Sequence, residues 1–230
     1  MAQTVTLANL ITHCRDRFEI DDGVITDSTL TDWINGSYFG LYNILVDANP
    51  HWFATYADQN IVAGTGEYAL PTDFWRALRI DVIDTNNMLV TLKRYEFGEE
   101  NAYLTFTVQE RGVTRYIIQG GNVRLNPKPT WSEPNGLRVW YAPAPAALTT
   151  GVTPVSMDAV SGWDEWVVLD VGIKWFVRME FDPGAIMAQK KLIESQIRDM
   201  AADRDSGNPP RVRNAYRERF LNIYGRFYNP

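Results

Sequence analysis

The chain has 230 residues, of which 45% are apolar and 22% charged, with a formal net charge of −6. That is enough to bury a sizeable core and is the balance of a globular protein, which excludes wholesale disorder. One cysteine excludes an internal disulfide framework and a cysteine-based zinc site, and no run approaches the ~18 consecutive apolar residues of a membrane-spanning helix.

Aromatic residues reach 13%, with eight Trp and eleven Tyr, a surplus that an aromatic core or a protein interface would each explain. The charge is unevenly spread. From Arg204 onward there are six arginines against Asp205 and Glu218, so that segment carries 6 − 2 = +4 and residues 1–203 carry 16 − 26 = −10. Such a body repels nucleic acid, while the tail attracts an acidic partner. The amino terminus lacks a basic region followed by an apolar stretch. No signal peptide is read there, and a soluble protein made in a cytoplasm is expected.

From Thr4 to Phe18, Val5, Leu7, Leu10, Ile11, Cys14 and Phe18 recur at helical spacing, and Cys14 reads as a buried thiol. Asp21-Asp22-Gly23 breaks this helix. A second is predicted from Ser28 or Thr26 as cap to Asn49-Pro50, burying Leu30, Trp33, Ile34, Ser37, Tyr38, Leu41, Tyr42 and Leu45. Gly36, Ser37 and Gly40 in it allow close backbone approach. Asn35-Gly36-Ser37 has the form of a glycosylation site, but its helical setting gives it no meaning as one.

From Ile61 to Tyr141 the period drops to two. IVAGTGEYAL, ALRIDVID, NMLVTLK, RYIIQ, NVRLNP and LRVWYAP read as strands between Gly, Pro and Asn clusters. Gly120-Gly121 marks the clearest hairpin, with Tyr116 and Ile118 in parity against Val123 and Leu125, and Asp84–Asn87 marks another turn. In GEYALPTDF, Pro71 should stop a strand, Thr72 or Asp73 should satisfy backbone donors, and Phe74 with Trp75 should anchor the corner in the core. Ala142 to Gly162 reads as a loop. A helix returns at Trp163 with Asp170, Lys174 and Arg178 as a narrow polar stripe, and it should be the most buried of all. Asp182 and Pro183 start the next, whose inner face is Ile186, Lys190, Ile193, Ile197 and Met200. SGNPP (206–210) then breaks the chain.

The expected fold class is α+β. Terminal helices pack as a bundle, an antiparallel β-sandwich or small barrel is inserted between them, and an extended C-terminal tail follows. The expected division is 1–57 (N-terminal helices), 58–145 (β-domain), 146–162 (loop), 163–205 (C-terminal helices) and 206–230 (tail).

Catalytic chemistry finds little footing. His13 and His51 lie in different elements and in no metal-ligand pattern, so they read as a helix-surface and a cap or loop residue. Gly64-Thr65-Gly66 precedes a strand and cannot offer a helix terminus to phosphate. The acidic pairs Asp21/Asp22, Glu99/Glu100 and Glu180/Asp182 sit in turns, where solvation or capping explains them better than a glycosidase dyad. Trp75, Trp131 and Trp140 show no spacing that aligns into a sugar platform. The tail is the strongest signal, since arginine interleaved with Tyr216, Phe220, Tyr224, Phe227 and Tyr228 is a composition used for nucleic acid and for protein grooves.

The chain resembles the head-to-tail adaptor (connector) proteins of tailed bacteriophages, including the neck or tail-tubular adaptors of short-tailed phages. The elements that carry the resemblance, in order, are LTDWINGSYFGLYNIL, Gly66–Phe74, Tyr116–Ile118 with Val123–Pro129, Leu137–Pro143, and Trp163–Val168 leading to Glu180-Phe181-Asp182. What it implies is a non-enzymatic virion part without cofactor or membrane. About a dozen copies would form a ring beneath the portal protein, extend the DNA channel without sequence-specific binding, and receive the tail or nozzle protein. The resemblance further implies that the carboxy-terminal segment anchors the ring to the portal through Arg211, Arg213, Tyr216, Arg217, Arg219, Phe220, Tyr224, Arg226, Phe227 and Tyr228. A phage cell-wall hydrolase or carbohydrate-binding module, and a nucleic-acid-binding protein using the tail, remain as alternatives on the residues alone.

Overall fold

The computed structural model describes residues 3–83, 88–99, 115–150, 157–159 and 163–202. Its fold is α+β, with four helices, α1 (Leu7–Phe18), α2 (Asp27–Ala48), α3 (Trp163–Arg178) and α4 (Gly184–Ala202), among the described residues. Thr6 accepts a hydrogen bond from the Asn9 amide (3.3 Å) and so starts α1 later than the apolar spacing predicts. Gln3–Val5 instead forms β1, antiparallel to β10 (Met157–Ala159), which lies within the stretch predicted as loop. Arg15 fastens the turn between α1 and α2. It donates to the carbonyls of Ile20 and Ile25 (3.0 and 3.1 Å) and pairs with Asp22 and Asp27. Of the two caps expected for α2, Thr26 is the one used, accepting from the Thr29 amide.

The four helices share one apolar cluster, built on Leu10, Cys14, Leu30, Ile34, Leu41, Trp163, Trp166, Val167, Val171 and Ile197. Burial there pushes the Cys14 thiol up to about 12, so it stays protonated. The predicted face of α2 is buried or packed against that cluster throughout, and α3 is the most enclosed helix, with eight of its 16 residues buried against eight of 22 in α2. Leu148 enters the cluster from the loop that follows the sheets. Asn35 clamps it, accepting from its amide (2.7 Å) and donating to its carbonyl (3.3 Å). In α4, Ile197 is buried as predicted, but Met200 is exposed and Ala201 takes the inner position.

Helices α2 and α3 run antiparallel and very close. Gly40 faces the Trp166 ring, where an added Cβ would lie 3.2 Å from it, and an added Cβ at Gly172 would lie 2.2 Å from the Phe18 ring. Between these contacts sits the polar stripe. The Asp170 carboxylate accepts from Lys190 (2.5 Å), Lys174 (3.0 Å) and the Ser37 hydroxyl (2.7 Å), while Lys174 also donates to the Trp33 carbonyl (3.1 Å). Burial pushes the Asp170 pKa up, but the hydrogen bonds from Lys190, Ser37 and Lys174 outweigh it and hold the carboxyl below the ordinary value.

Between α2 and α3 the chain builds two four-stranded sheets. One has the order β2 (Thr55–Ile61), β9 (Glu133–Pro143), β4 (Phe74–Ile83), β5 (Leu89–Thr91). The other has β3 (Glu67–Ala69), β8 (Asn122–Asn126), β7 (Arg115–Gln119), β6 (Lys93–Arg94). They share a core of Ile61, Tyr68, Ile80, Val82, Val123, Leu125, Leu137 and Val139, which is a sandwich rather than a closed barrel. The β7–β8 hairpin has the predicted register, with Tyr116 opposite Leu125 and Ile118 opposite Val123, and Gly120 supplies the positive φ (59°). The sheets are not purely antiparallel, because β6 pairs parallel with β7.

Two local predictions fail for identifiable reasons. The run Ile61–Leu70 is not one strand: Gly64 takes φ 79° and sends the chain from β2 of one sheet to β3 of the other. In GEYALPTDF, Phe74 packs on Tyr141 as expected, but Trp75 is 51% exposed. Asp73 accepts from the Tyr141 hydroxyl (2.8 Å) rather than a backbone donor. Burial, then that bond and the carboxylate charge, push the tyrosine up to about 12. The Asp84–Asn87 turn and the Ser206–Pro210 break lie outside the described residues.

Gly172→Ala should destabilise the protein by about 1–3 kcal/mol in urea unfolding, and the added Phe18→Leu should recover part of the loss. Because the folded pKa of Asp170 lies below its unfolded value, its stabilisation is complete above about pH 4 and is lost as pH falls through the folded value. Asp170→Asn should therefore be less stable than the native chain at neutral pH, and the two unfolding midpoints should converge below about pH 4.

Candidate assembly surface

The outer face of the β2-β9-β4-β5 sheet carries the densest group of interacting polar and aromatic side chains. Its origin is the period of two: along β9, Leu137, Val139 and Tyr141 point into the sandwich and Arg138 and Trp140 point out. Register then sets two cross-strand rows. Tyr56, Trp140 and Arg79 stand side by side in one, and Asp58, Arg138, Asp81 and Thr91 in the other.

In the first row the Tyr56 and Trp140 rings meet with centroids 5.0 Å apart, and the Arg79 guanidinium lies 5.1 Å from the Trp140 ring. In the second, Arg138 grips Asp58 with two bonds (2.7 and 2.8 Å) while its guanidinium covers the Tyr56 ring at 4.3 Å. Asp81 is sealed from solvent although it sits on the outward side. Its oxygens accept from Arg79 Nε (2.9 Å), Trp140 Nε1 (2.9 Å) and Thr91 Oγ1 (2.8 Å). The three donors satisfy a charge that would otherwise be costly to bury.

One end of this face meets the helices. Tyr42 donates its hydroxyl to the Pro143 carbonyl (2.7 Å), Tyr42 and Val46 pack on Ala142, and Arg76 pairs with Asp47 (2.5 Å). At the junction lies a cleft of about 290 Å³ lined by His51, Ala54, Leu78, Arg79 and Trp140, with Trp52 and Tyr56 about half exposed beside it. A larger hollow of about 440 Å³ on the other sheet is lined by the Gly64–Gly66 turn, the Glu67–Arg124 pair and Lys128. As read from sequence, that glycine turn leads into a strand, β3.

The candidate chemical groups are in structural use. Asp21 accepts from the Gly23 amide, Asp22 pairs with Arg15, Glu99 pairs with Arg115, and Asp182 accepts from the Gly184 amide to start α4. His13 is exposed on α1 and His51 sits in the short 3-10 turn Pro50–Phe53. Trp131 packs against the sandwich core, Trp140 pairs with a tyrosine rather than another tryptophan, and Trp75 is apart, so the three form no row. Among the described residues no group of three or more His, Cys, Asp or Glu is placed to hold a metal ion, and no helix is long and apolar enough to cross a membrane. Arg211, Arg213, Tyr216, Arg217, Arg219, Phe220, Tyr224, Arg226, Phe227 and Tyr228, together with Glu100, lie outside the described residues. Sequence reasoning missed the outer face because β2 went unrecognised, and with it the partners Tyr56 and Asp58. The signal available was the alternation Arg79-Ile80-Asp81-Val82 beside Leu137-Arg138-Val139-Trp140.

A helical cluster joined to a sandwich, with exposed rings at the junction and its acids spent on turns and pairs, has the makeup of a structural part that binds other proteins. The comparison with known families is specific: the model described as SU10 adaptor protein matches residues 5–214. The chain belongs to that family, and its resemblance to phage head-to-tail adaptors holds. No curated protein matches. Membership supports a structural role as a phage adaptor, in association with other phage head and tail proteins, rather than a catalytic one.

The ladder makes an energetic prediction. Asp81→Ala strands three donors and should cost about 2–4 kcal/mol in urea unfolding, whereas Asp58→Ala, on the more open side, should cost about 1 kcal/mol or less.

Proposed function

We propose that the protein is a ring-forming head-to-tail adaptor of the virion neck, docking under the portal protein, extending the DNA channel and receiving the tail or nozzle protein. The observation that carries this reading is the family match over residues 5–214, which spans the helices and both sheets and continues through Arg211 and Arg213. In this reading the segment 206–230 is the docking tail, its arginines and aromatic rings supplying ion pairs and buried anchors at the portal. The ring would hold about a dozen copies through one repeated heterologous interface. The excess negative charge of residues 1–203, −10 by the count above, supports passage of DNA along the ring without adhesion.

Native mass spectrometry of the chain alone and mixed with its cognate portal tests the reading. The full chain is expected as a monomer or weak oligomer alone and as a ring on the portal. A chain ending at Ala202 should keep its unfolding midpoint and lose portal binding at least a hundredfold, about 2.7 kcal/mol. Undiminished portal binding by the shortened chain would remove the docking role from the tail.

A further inference from the structure

The exposed apolar side chains gather rather than scatter, and two of the groups lie at opposite ends of α2. At the α3–α4 corner, Val177, Phe181 and Met187 are 61%, 56% and 54% exposed. Around the junction cleft, Trp52 and Tyr56 are 47% and 50% exposed. The antiparallel pairing fixes their separation. Trp166 lies over Gly40, Asp170 bonds to Ser37, and Arg178 lies over the Trp33 ring, so α3 ends where α2 begins. The cleft starts just beyond the other end of α2, roughly 22 Å away at 1.5 Å per residue from Trp33 to Ala48.

We infer that the α3–α4 corner of one copy inserts Phe181 into the junction cleft of the next copy, making a head-to-tail contact between identical chains. Size favours it. At about 290 Å³ the cleft falls at the lower edge of small-molecule sites, which run from roughly 300 to 1,000 Å³, and suits a single protruding side chain. Charge favours it as well. At the cleft mouth the Arg79 side chain is 48% exposed while its partner Asp81 is only 1% exposed, so the ion pair, neutral in sum, turns its guanidinium end outward. At the corner Glu180 is exposed in a left-handed turn (φ 59°) next to Phe181, and Arg178 is turned back over Trp33. A knob and a hole at opposite ends form a heterologous contact, which closes into a ring when the rotation allows. This assigns surfaces to the self-association proposed above and rests on that reading.

The test uses the full chain with Ala54→Cys and Met187→Cys, alone and together, with Phe181 retained and the protein oxidised at high concentration; the native Cys14 is fully buried. The double variant should give a ladder of dimers, trimers and higher species on a non-reducing gel. The two single variants should give dimer only when mixed. Separately, Phe181→Asp and Glu180→Arg should each weaken self-association at least tenfold in native mass spectrometry. Glu180→Arg should leave the unfolding midpoint unchanged, and Phe181→Asp should lower it only by the loss of its edge contact with the Phe176 ring. Rings that form normally with either substitution, or that form while the double variant fails to cross-link, would overturn the assignment and leave the ring reading standing. A native chain that stays monomeric both alone and on the portal would overturn the ring reading and this contact with it. If Phe181→Asp blocked only the tail partner, the cleft would belong to that partner and the self-contact would be wrong.

Discussion

The close antiparallel contact of α2 with α3 is the constraint on which the remaining arrangement depends. It needs Gly40 so that Trp166 can lie on the backbone, and Gly172 so that Phe18 can reach α3 from α1. At such a separation a charge between the helices is costly, yet Asp170 sits there. Two lysines from different helices and the Ser37 hydroxyl surround it, so removing Asp170 would leave both lysines without their shared carboxylate. Apolar packing alone would tolerate sliding of α3 along α2. The fixed directions of these bonds give one register, and that register sets where both ends of α3 lie.

From that register the sandwich takes its position. Strand β9 ends at Ala142 and Pro143, which are held by Tyr42 and Val46 on the last turns of α2, and a few residues on Leu148 is clamped by Asn35 on the same helix. One helix therefore holds the end of the β-region, the loop that leaves it and α3 itself. The Tyr42 hydroxyl is buried, which pushes its pKa up to about 12, and it acts as a donor at all ordinary pH. The Arg76–Asp47 pair beside it is largely exposed and adds orientation more than stability.

Much of this was legible in the residues because the decisive signals are local. Helical spacing located α2 and α3, and Gly120-Gly121 fixed the β7–β8 register. Asp182 marked the start of α4. What escaped was non-local. Strand β2 carries Tyr56, Asp58 and Gln59, which give no apolar alternation, because its outer side is matched to Arg138 and Trp140 rather than to solvent. Likewise Gly172 looks like a defect in a helix until Phe18 is seen against it, and Asn35 looks like part of a sequon until Leu148 is seen in its grip. Trp75 is paired in the sequence with Phe74 as an anchor of the corner after Pro71. The irregular pairing of β4 with β9 between Phe74 and Arg76 leaves it outside.

The outer sheet face solves a conflict that any assembly part meets. A surface that binds strongly must expose rings and apolar groups, and a surface that stays dispersed before assembly must not. Here each outward ring is shared with a cation: Tyr56 with Arg138, Trp140 with Arg79. Each of those cations is in turn neutralised by a carboxylate, Arg138 by Asp58 in its own row and Arg79 by Asp81 in the next. The result is a rigid, nearly neutral lattice of side chains whose rotamers are already fixed, so a partner would pay little further side-chain entropy to use it. Its apolar area is divided by charges, which disfavours indiscriminate sticking. On the contact inferred above, affinity at such a face comes from the fit of a few inserted groups at the junction cleft rather than from area.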